Sequence, residues 1–127
     1  MTASESGAAL VTGAGKRLGR AMALALAGAG YDVAVHYNAS AAEAEAVASL
    51  IEAKGRRAAV VKADLGKESE TAALIGQAKA ALGPLAVLVN SASTFEHDDV
   101  DTMTRESWDL HREVNLRAPA KLAQDFA

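Results

Sequence analysis

A chain of 127 residues is near the common size of one domain, and with half of its residues hydrophobic it can bury a core. Only 4% are aromatic, so that core has to be built from Ala, Val and Leu, a mixture suited to helices laid closely on a buried sheet. A net charge of −3 supplies no general basic field for duplex DNA or an anionic membrane, and the absence of cysteine excludes disulfides, thiolate nucleophiles and cysteine-ligated zinc.

In chain order, Met1 to Gly7 is polar and lacks the basic-then-apolar order of a signal peptide. Ala8-Ala9-Leu10-Val11-Thr12 reads as a first, buried strand, followed by a helix from about Leu18 to Ala29 that Gly30 closes. Ala21 to Gly30, the most apolar stretch, is far too short to span a bilayer, so a cytoplasmic protein without membrane or nucleic-acid partners is expected. Asp32 to Tyr37 forms strand two. Ser40 opens a second helix with Glu43 three residues later, the spacing of a capping box, and Gly55 ends it. Ala58 to Lys62 is strand three, Glu68 to Leu82 is helix three before Gly83-Pro84, and Leu85 to Val89 is strand four. From Thr104 a last helix runs toward Ala127.

Short β-branched runs alternating with longer helical stretches are repeated βαβ units. They predict an α/β fold: a Rossmann-type doubly wound parallel sheet of order 3-2-1-4, in one domain spanning residues 1–127. Nothing after the last helix pairs beside strand four, so the chain reads as the N-terminal portion of a longer single-domain protein.

Thr12-Gly13-Ala14-Gly15-Lys16-Arg17-Leu18-Gly19-Arg20 joins strand one to helix one. Glycines there permit a sharp turn and let backbone N–H groups approach a phosphate, whose charge a helix N-terminus favours. The fit to Gly-x-Gly-x-x-Gly is displaced, with the third glycine one position late at Gly19. A plain glycine turn linking strand to helix is the simpler alternative. The segment resembles the Thr-Gly-x-x-x-Gly-x-Gly cofactor turn of short-chain dehydrogenases/reductases, with Arg17 in place of the middle glycine. Within that family, Thr-Gly-Ala-x-Lys-Arg-Leu-Gly is similar to the pteridine reductase branch, and the resemblance runs through essentially all 127 residues.

The resemblance implies that Gly13, Gly15, Lys16, Arg17, Leu18 and Gly19 meet the cofactor. NAD-preferring members carry an acid at the end of strand two for the ribose 2′-OH. Here Tyr37-Asn38-Ala39-Ser40 has no carboxylate there, and Asp32 lies at the opposite end of the strand. NADP(H) is therefore expected, with Asn38, Ala39 and Ser40 beside the 2′-phosphate and Lys16 and Arg17 as cations. Ser40 serves equally as a helix cap, and Lys16 as a solvated turn charge. Asp64 and Leu65 follow strand three, and the resemblance implies that Asp64 meets the adenine amino group; an ordinary strand-end aspartate is the alternative.

After strand four the family's Asn-Asn-Ala-Gly becomes Asn90-Ser91-Ala92-Ser93, a loop that implies contact with the cofactor ribose at the strands' carboxyl ends. Ser93 with Phe95 resembles the pteridine reductases, in which the serine hydrogen-bonds a pterin and the ring stacks on it. Arg17 faces that substrate or the pyrophosphate, and Phe95 is otherwise a hydrophobe packed on the last helix. Asn115 matches the family's helix asparagine, which bends its helix and holds a water in the proton relay to a catalytic lysine. Trp108 reads as a packing residue. His36, His97 and His111 form no metal-ligand set and read as structural or solvent-facing, and Glu96, Asp98, Asp99 and Asp101 read as a solvated loop, so no metal is expected.

Reduction in this family needs a Tyr-x-x-x-Lys pair to protonate the substrate. Tyr31 and Tyr37 are followed four positions later by Val35 and Ala41, so the pair is absent from these residues. Three readings follow: a pterin-type reductase whose catalytic segment lies beyond Ala127, a 3-oxoacyl-type or other carbonyl reductase, or a truncated non-catalytic nucleotide-binding module. The resemblance further implies a small-molecule substrate and a homotetramer or homodimer using the last helix.

Overall fold

Four short runs of Val, Ala and Leu, each followed by a longer stretch of good helix formers, fold as the βαβ pattern requires. The computed structural model of the protein describes residues 7–93 and 103–127. In order these are β1 (Ala8–Val11), α1 (Arg17–Gly28), β2 (Asp32–Tyr37), α2 (Ala41–Ala53), β3 (Ala58–Lys62), α3 (Glu68–Leu82) and β4 (Leu85–Val89). A final rod consists of α4 (Arg105–Arg112), a π turn (Glu113–Arg117) and α5 (Ala118–Phe126). The strands pair in parallel in the order β3-β2-β1-β4, the doubly wound arrangement expected from the sequence.

Period-two alternation decides which face each strand residue covers. Ala8, Leu10 and Ala34 point to one side, where Leu74, Ala78, Ala118 and Leu122 of α3 and α5 close over them. Val11, Val33 and Val35 point to the other, against Ala23 and Ala27 of α1 and Val47 and Ile51 of α2. The alanines let the helices sit close to the sheet, which is how a core with so few aromatic residues still fills its volume.

The bounds of β2, β3, α3 and β4 are those expected from the sequence. β1 stops at Val11 because Thr12 already enters the turn. The last helix, expected from Thr104 toward Ala127 with a local bend implied at Asn115, is broken by a π turn that contains that residue. Pro119 has no N–H to give the carbonyl of Asn115, so the hydrogen-bond ladder widens over Glu113–Arg117, where the Ala118 N–H reaches back to the Glu113 carbonyl. Among the described residues no helix is long and apolar enough to cross a membrane.

Away from the strands' carboxyl ends, Asp32 is fully buried at the start of β2. Its carboxylate accepts the Arg57 backbone N–H at 2.8 Å and the Arg57 Nε–H at 3.1 Å, while the same guanidinium donates to the Leu82 carbonyl at 3.1 Å. Arg57 thus ties β2, the entry to β3 and the end of α3. Replacing it removes a cation from a carboxylate that has no exposure, a change that costs several kcal/mol in fully buried pairs and less here because Arg57 itself is half exposed. Arg57→Ala is expected to destabilise the fold by about 2 kcal/mol in urea unfolding. Asp32→Asn, which removes the buried charge instead, is expected to cost less.

Candidate functional site

At the carboxyl ends of the strands the turn after β1, the segment after β2 and the loop after β4 enclose a cleft of ≈ 690 Å³. Its lining includes Gly13, Gly15, Lys16, Arg17, Leu18 and Gly19 from the turn, Asn38, Ala39 and Ser40 from the segment, and Ser91, Ala92 and Ser93 from the loop. The structure therefore gathers twelve of the cofactor-contact residues expected from the sequence.

Backbone crowding shapes the floor of this cleft. Gly13 has φ 61°, and a Cβ there would lie 2.9 Å from the Ala92 Cα. A Cβ on Gly19 would lie 2.2 Å from the Gly13 carbonyl oxygen. With both side chains absent, β1, α1 and the loop after β4 meet backbone to backbone. Arg17 takes φ 51°, a left-handed conformation that costs a non-glycine residue about 1–2 kcal/mol. α1 begins there, so its first N–H groups lack intrahelical partners and point with the positive end of the helix dipole toward the cleft.

Two side chains fix the turn to its neighbours, and sequence reasoning assigned neither of them to the site. The Thr12 hydroxyl oxygen accepts the N–H groups of Ser91 and Ala92, both at 3.0 Å, joining the turn to the loop after β4. His36, only 2% exposed, accepts the Gly13 N–H at Nδ1 (2.9 Å), and its Nε2 lies 2.8 Å from the Ala63 carbonyl. A backbone N–H can only donate, so Nδ1 must present its lone pair and Nε2 must carry the proton. The ring is the neutral tautomer. Burial holds its pKa below the ordinary 6.5, against the raising influence of the Ala63 carbonyl. Of the two expectations for His36, structural or solvent-facing, the structure gives the structural one: a buried strut under the cleft.

The segment after β2 departs from expectation in one respect. Ser40 makes no side-chain cap on α2, and its φ of −96° and ψ of 66° lie outside the extended region that aims an N-cap hydroxyl at the helix. Glu43 closes no capping box because its carboxylate turns to Lys16 instead, at 3.4 Å. No carboxylate stands at the end of β2 itself, and Asp32 lies at its far end, paired with Arg57.

Three expected contact residues lie outside the lining of the cleft. Leu65 is 4% exposed and packs in the core. Asp64 caps its own turn, its Oδ1 accepting the Gly66 N–H at 2.9 Å while Glu70 accepts the Asp64 N–H at 2.8 Å. Asn90 is exposed, with its amide near the Pro119 carbonyl at 3.5 Å. Asn115 falls inside the π turn. Phe95, with Thr94 and the acidic run to Asp101, lies outside the described residues. Trp108, expected to pack, is 55% exposed. Among the described residues no group of three or more His, Asp or Glu is placed to hold a metal.

The sheet order, the helices on both faces and the glycine turn at the carboxyl end define a doubly wound α/β protein of the Rossmann type. The short chain dehydrogenase family model matches residues 7–127, and the chain belongs to that family. It is similar to the FolM alternative dihydrofolate reductase 1 of Brucella suis, solved in complex with NADP (42% identity, TM-score 0.87, covering 93% of this chain and 49% of that one). It is also similar to a short chain dehydrogenase from Burkholderia cenocepacia in complex with NADP (36% identity, TM-score 0.92, 98% and 51% covered). A third relative is the 3-oxoacyl-(acyl-carrier-protein) reductase FabG of Staphylococcus epidermidis, 38% identical over 109 residues, which are 86% of this chain and 45% of that protein. The chain spans about half the length of the relatives it matches.

Gly19→Ala is expected to cost more than about 2 kcal/mol, because the methyl group meets backbone that has nowhere to move. Gly28→Ala, in α1 with nothing within 4 Å, is the control and is expected to stabilise by about 0.5 kcal/mol. A further expectation concerns pH. His36 binds its proton less readily folded than unfolded, so its contribution to stability is complete above pH 6.5 and is lost as pH falls through the lowered native value. The melting temperature should drop between pH 7 and pH 5 by more in the wild type than in His36→Gln, whose amide does not titrate.

Proposed function

We propose that the cleft binds NADP(H) and that the whole protein is a reductase delivering hydride to a C=N or C=O bond of a small substrate, a pterin in the first instance. The observation that carries this is the convergence of the glycine turn, the N-terminus of α2 and the Ser91-Ala92-Ser93 loop on one cleft. A dinucleotide fits it. The missing side chains at Gly13 and Gly19 leave the turn packed so closely that backbone N–H groups, not side chains, line the approach to a diphosphate. The end of β2 offers a 2′-phosphate no opposing carboxylate, and Lys16 stands at the mouth. NADP-bound relatives such as FolM support the same cofactor.

When bound, the nicotinamide supplies the hydride. The residues of this chain hold and orient it: the first N–H groups of α1 and Arg17 on the diphosphate, Lys16 and Ser40 on the 2′-phosphate with Asn38 and Ala39 beside it, and Ser91, Ala92 and Ser93 along the nicotinamide ribose. The family resemblance assigns Asp64 and Leu65 to the adenine and Asn90 to the ribose in the same reading, although none of the three is part of the cleft lining. Ser93, Phe95 and Arg17 serve the substrate, and Asn115 holds a water for proton delivery. The Tyr-x-x-x-Lys pair that donates the proton is not among these 127 residues, so the activity belongs to the whole protein. Self-association as a cytoplasmic homotetramer or homodimer accompanies this reading, supported by Trp108 and Leu116 of the last rod, 55% and 67% exposed.

The likeness to FabG favours a second reading, reduction of a 3-oxoacyl ketone. Turnover of dihydrobiopterin or dihydrofolate with NADPH, measured beside a 3-oxoacyl thioester, separates the two: faster reduction of the ketone overturns the pterin assignment. Absence of binding heat with both NADPH and NADH overturns the cofactor reading altogether. The Lys16–Glu43 pair gives a sharper expectation. Exposed pairs are worth up to about 1 kcal/mol, so Glu43→Gln, by releasing Lys16 and removing a nearby negative charge, should tighten NADPH binding about two- to fivefold and leave NADH unchanged.

A further inference from the structure

His36 stands apart from the rest of β2. Val33, Ala34 and Val35 fill this strand with aliphatic side chains, and a polar ring 2% exposed carries a desolvation cost that an aliphatic residue would not. Both of its nitrogens are committed, one to Gly13 and one to Ala63, partners 23 and 27 residues away. Gly13 is the first residue of the glycine turn, wedged between Gly19 and Ala92 with no side chain of its own to orient it. Its direction is therefore set by where its N–H points, and that N–H points at His36. The following residue continues the constraint, since the Ala14 N–H donates to the His36 carbonyl at 3.0 Å. One residue of β2 thus holds two successive amides of the turn inward, from side chain and main chain, while the ring borders the cleft.

We propose that His36 is a positioning residue for cofactor binding: by holding the Gly13 N–H inward it presents the later amides of the turn to a dinucleotide's diphosphate. This rests on the cofactor reading above. A purely structural role would lower stability and leave the affinity of the folded protein alone. A positioning role raises the dissociation constant for ligands that carry the diphosphate and spares those that reach only the 2′-phosphate end of the cleft.

The test compares wild type, His36→Gln, His36→Leu and His36→Met in the intact polypeptide by calorimetry at pH 7.5, with NADPH and with adenosine 2′-monophosphate. Glutamine offers an oxygen acceptor and an N–H donor on one planar group and should bind NADPH within threefold of wild type. Leucine, lacking both, and methionine, with only a weakly accepting thioether and no donor, should weaken NADPH at least tenfold and adenosine 2′-monophosphate less than twofold. Unchanged NADPH affinity in a folded Leu or Met variant overturns the proposal, as does an equal loss for both ligands. A wild type that binds no NADPH overturns the cofactor reading instead. Amide exchange on the wild type covers the case in which the apolar variants do not fold. The Gly13 N–H should be protected before NADPH is added, and those of Lys16 to Leu18 should gain protection only with it; a freely exchanging Gly13 N–H overturns the proposal.

Discussion

The distance at which Gly13 meets its neighbours governs the architecture of the cleft. Three pieces of backbone converge there: the turn itself, the first turn of α1 and the loop after β4. They approach within what a single methyl group would occupy. Apolar burial cannot set such an arrangement, because no side chains interdigitate at the contact. It is set by hydrogen bonds of fixed direction and by strand register, which brings Val11 opposite both Val35 and Val89 and so delivers three chain segments to one level. Thr12 and His36 then fasten the turn on its two flanks.

This explains why polar groups appear where the sheet is otherwise aliphatic. Only four polar or charged residues are buried among the described ones: Thr12, Asp32, His36 and Thr71. Two of them lie under the cleft. Asp32 occupies the opposite end of the sheet, with Arg57 as its counter-ion, so a buried carboxylate is kept one strand length from the place where a phosphate would be received. The fold keeps its one fully buried carboxylate among the described residues at the end of the sheet away from the cleft and directs helix N-termini toward the cleft.

Much of this was legible from the sequence because each element is punctuated. Runs such as Asp32 to Tyr37 and Leu85 to Val89 are short, largely apolar, preceded by Gly30 or Gly83-Pro84 and followed by Asn38 or Asn90, so period and breaker agree on their limits. What stayed hidden depends on separation along the chain. His36 reads as one more inward strand residue until Gly13 and Ala63 arrive beside it from elsewhere in the sequence. Ser40 and Glu43 have the spacing of a capping box, but a cation from another element, Lys16, outcompetes the local amide for the carboxylate. Asp64, Leu65 and Asn90 follow their strands as expected, yet Leu65 turns into the core, Asp64 holds its own turn and Asn90 is exposed beside Pro119, so none of them lines the cleft. The widened turn at Glu113–Arg117 had a visible cause in Pro119, although periodicity alone suggested continuity.

That widened turn also acts as a vernier. Leu110, Val114, Ala118, Leu122 and Phe126 all pack toward the same side of the sheet, spaced four apart. In an unbroken α-helix a row with that spacing winds around the axis by about 40° at every step and would leave the core before the rod ends. Inserting one looser turn takes up the accumulated rotation, so a rod with no buried residue in α4 can still lay Ala118 and Leu122 flat against the strands. The extra residue held in this turn thus sets which side of the rod Ala118 and Leu122 present to the strands, making the length of this segment as much a part of the fold as its composition.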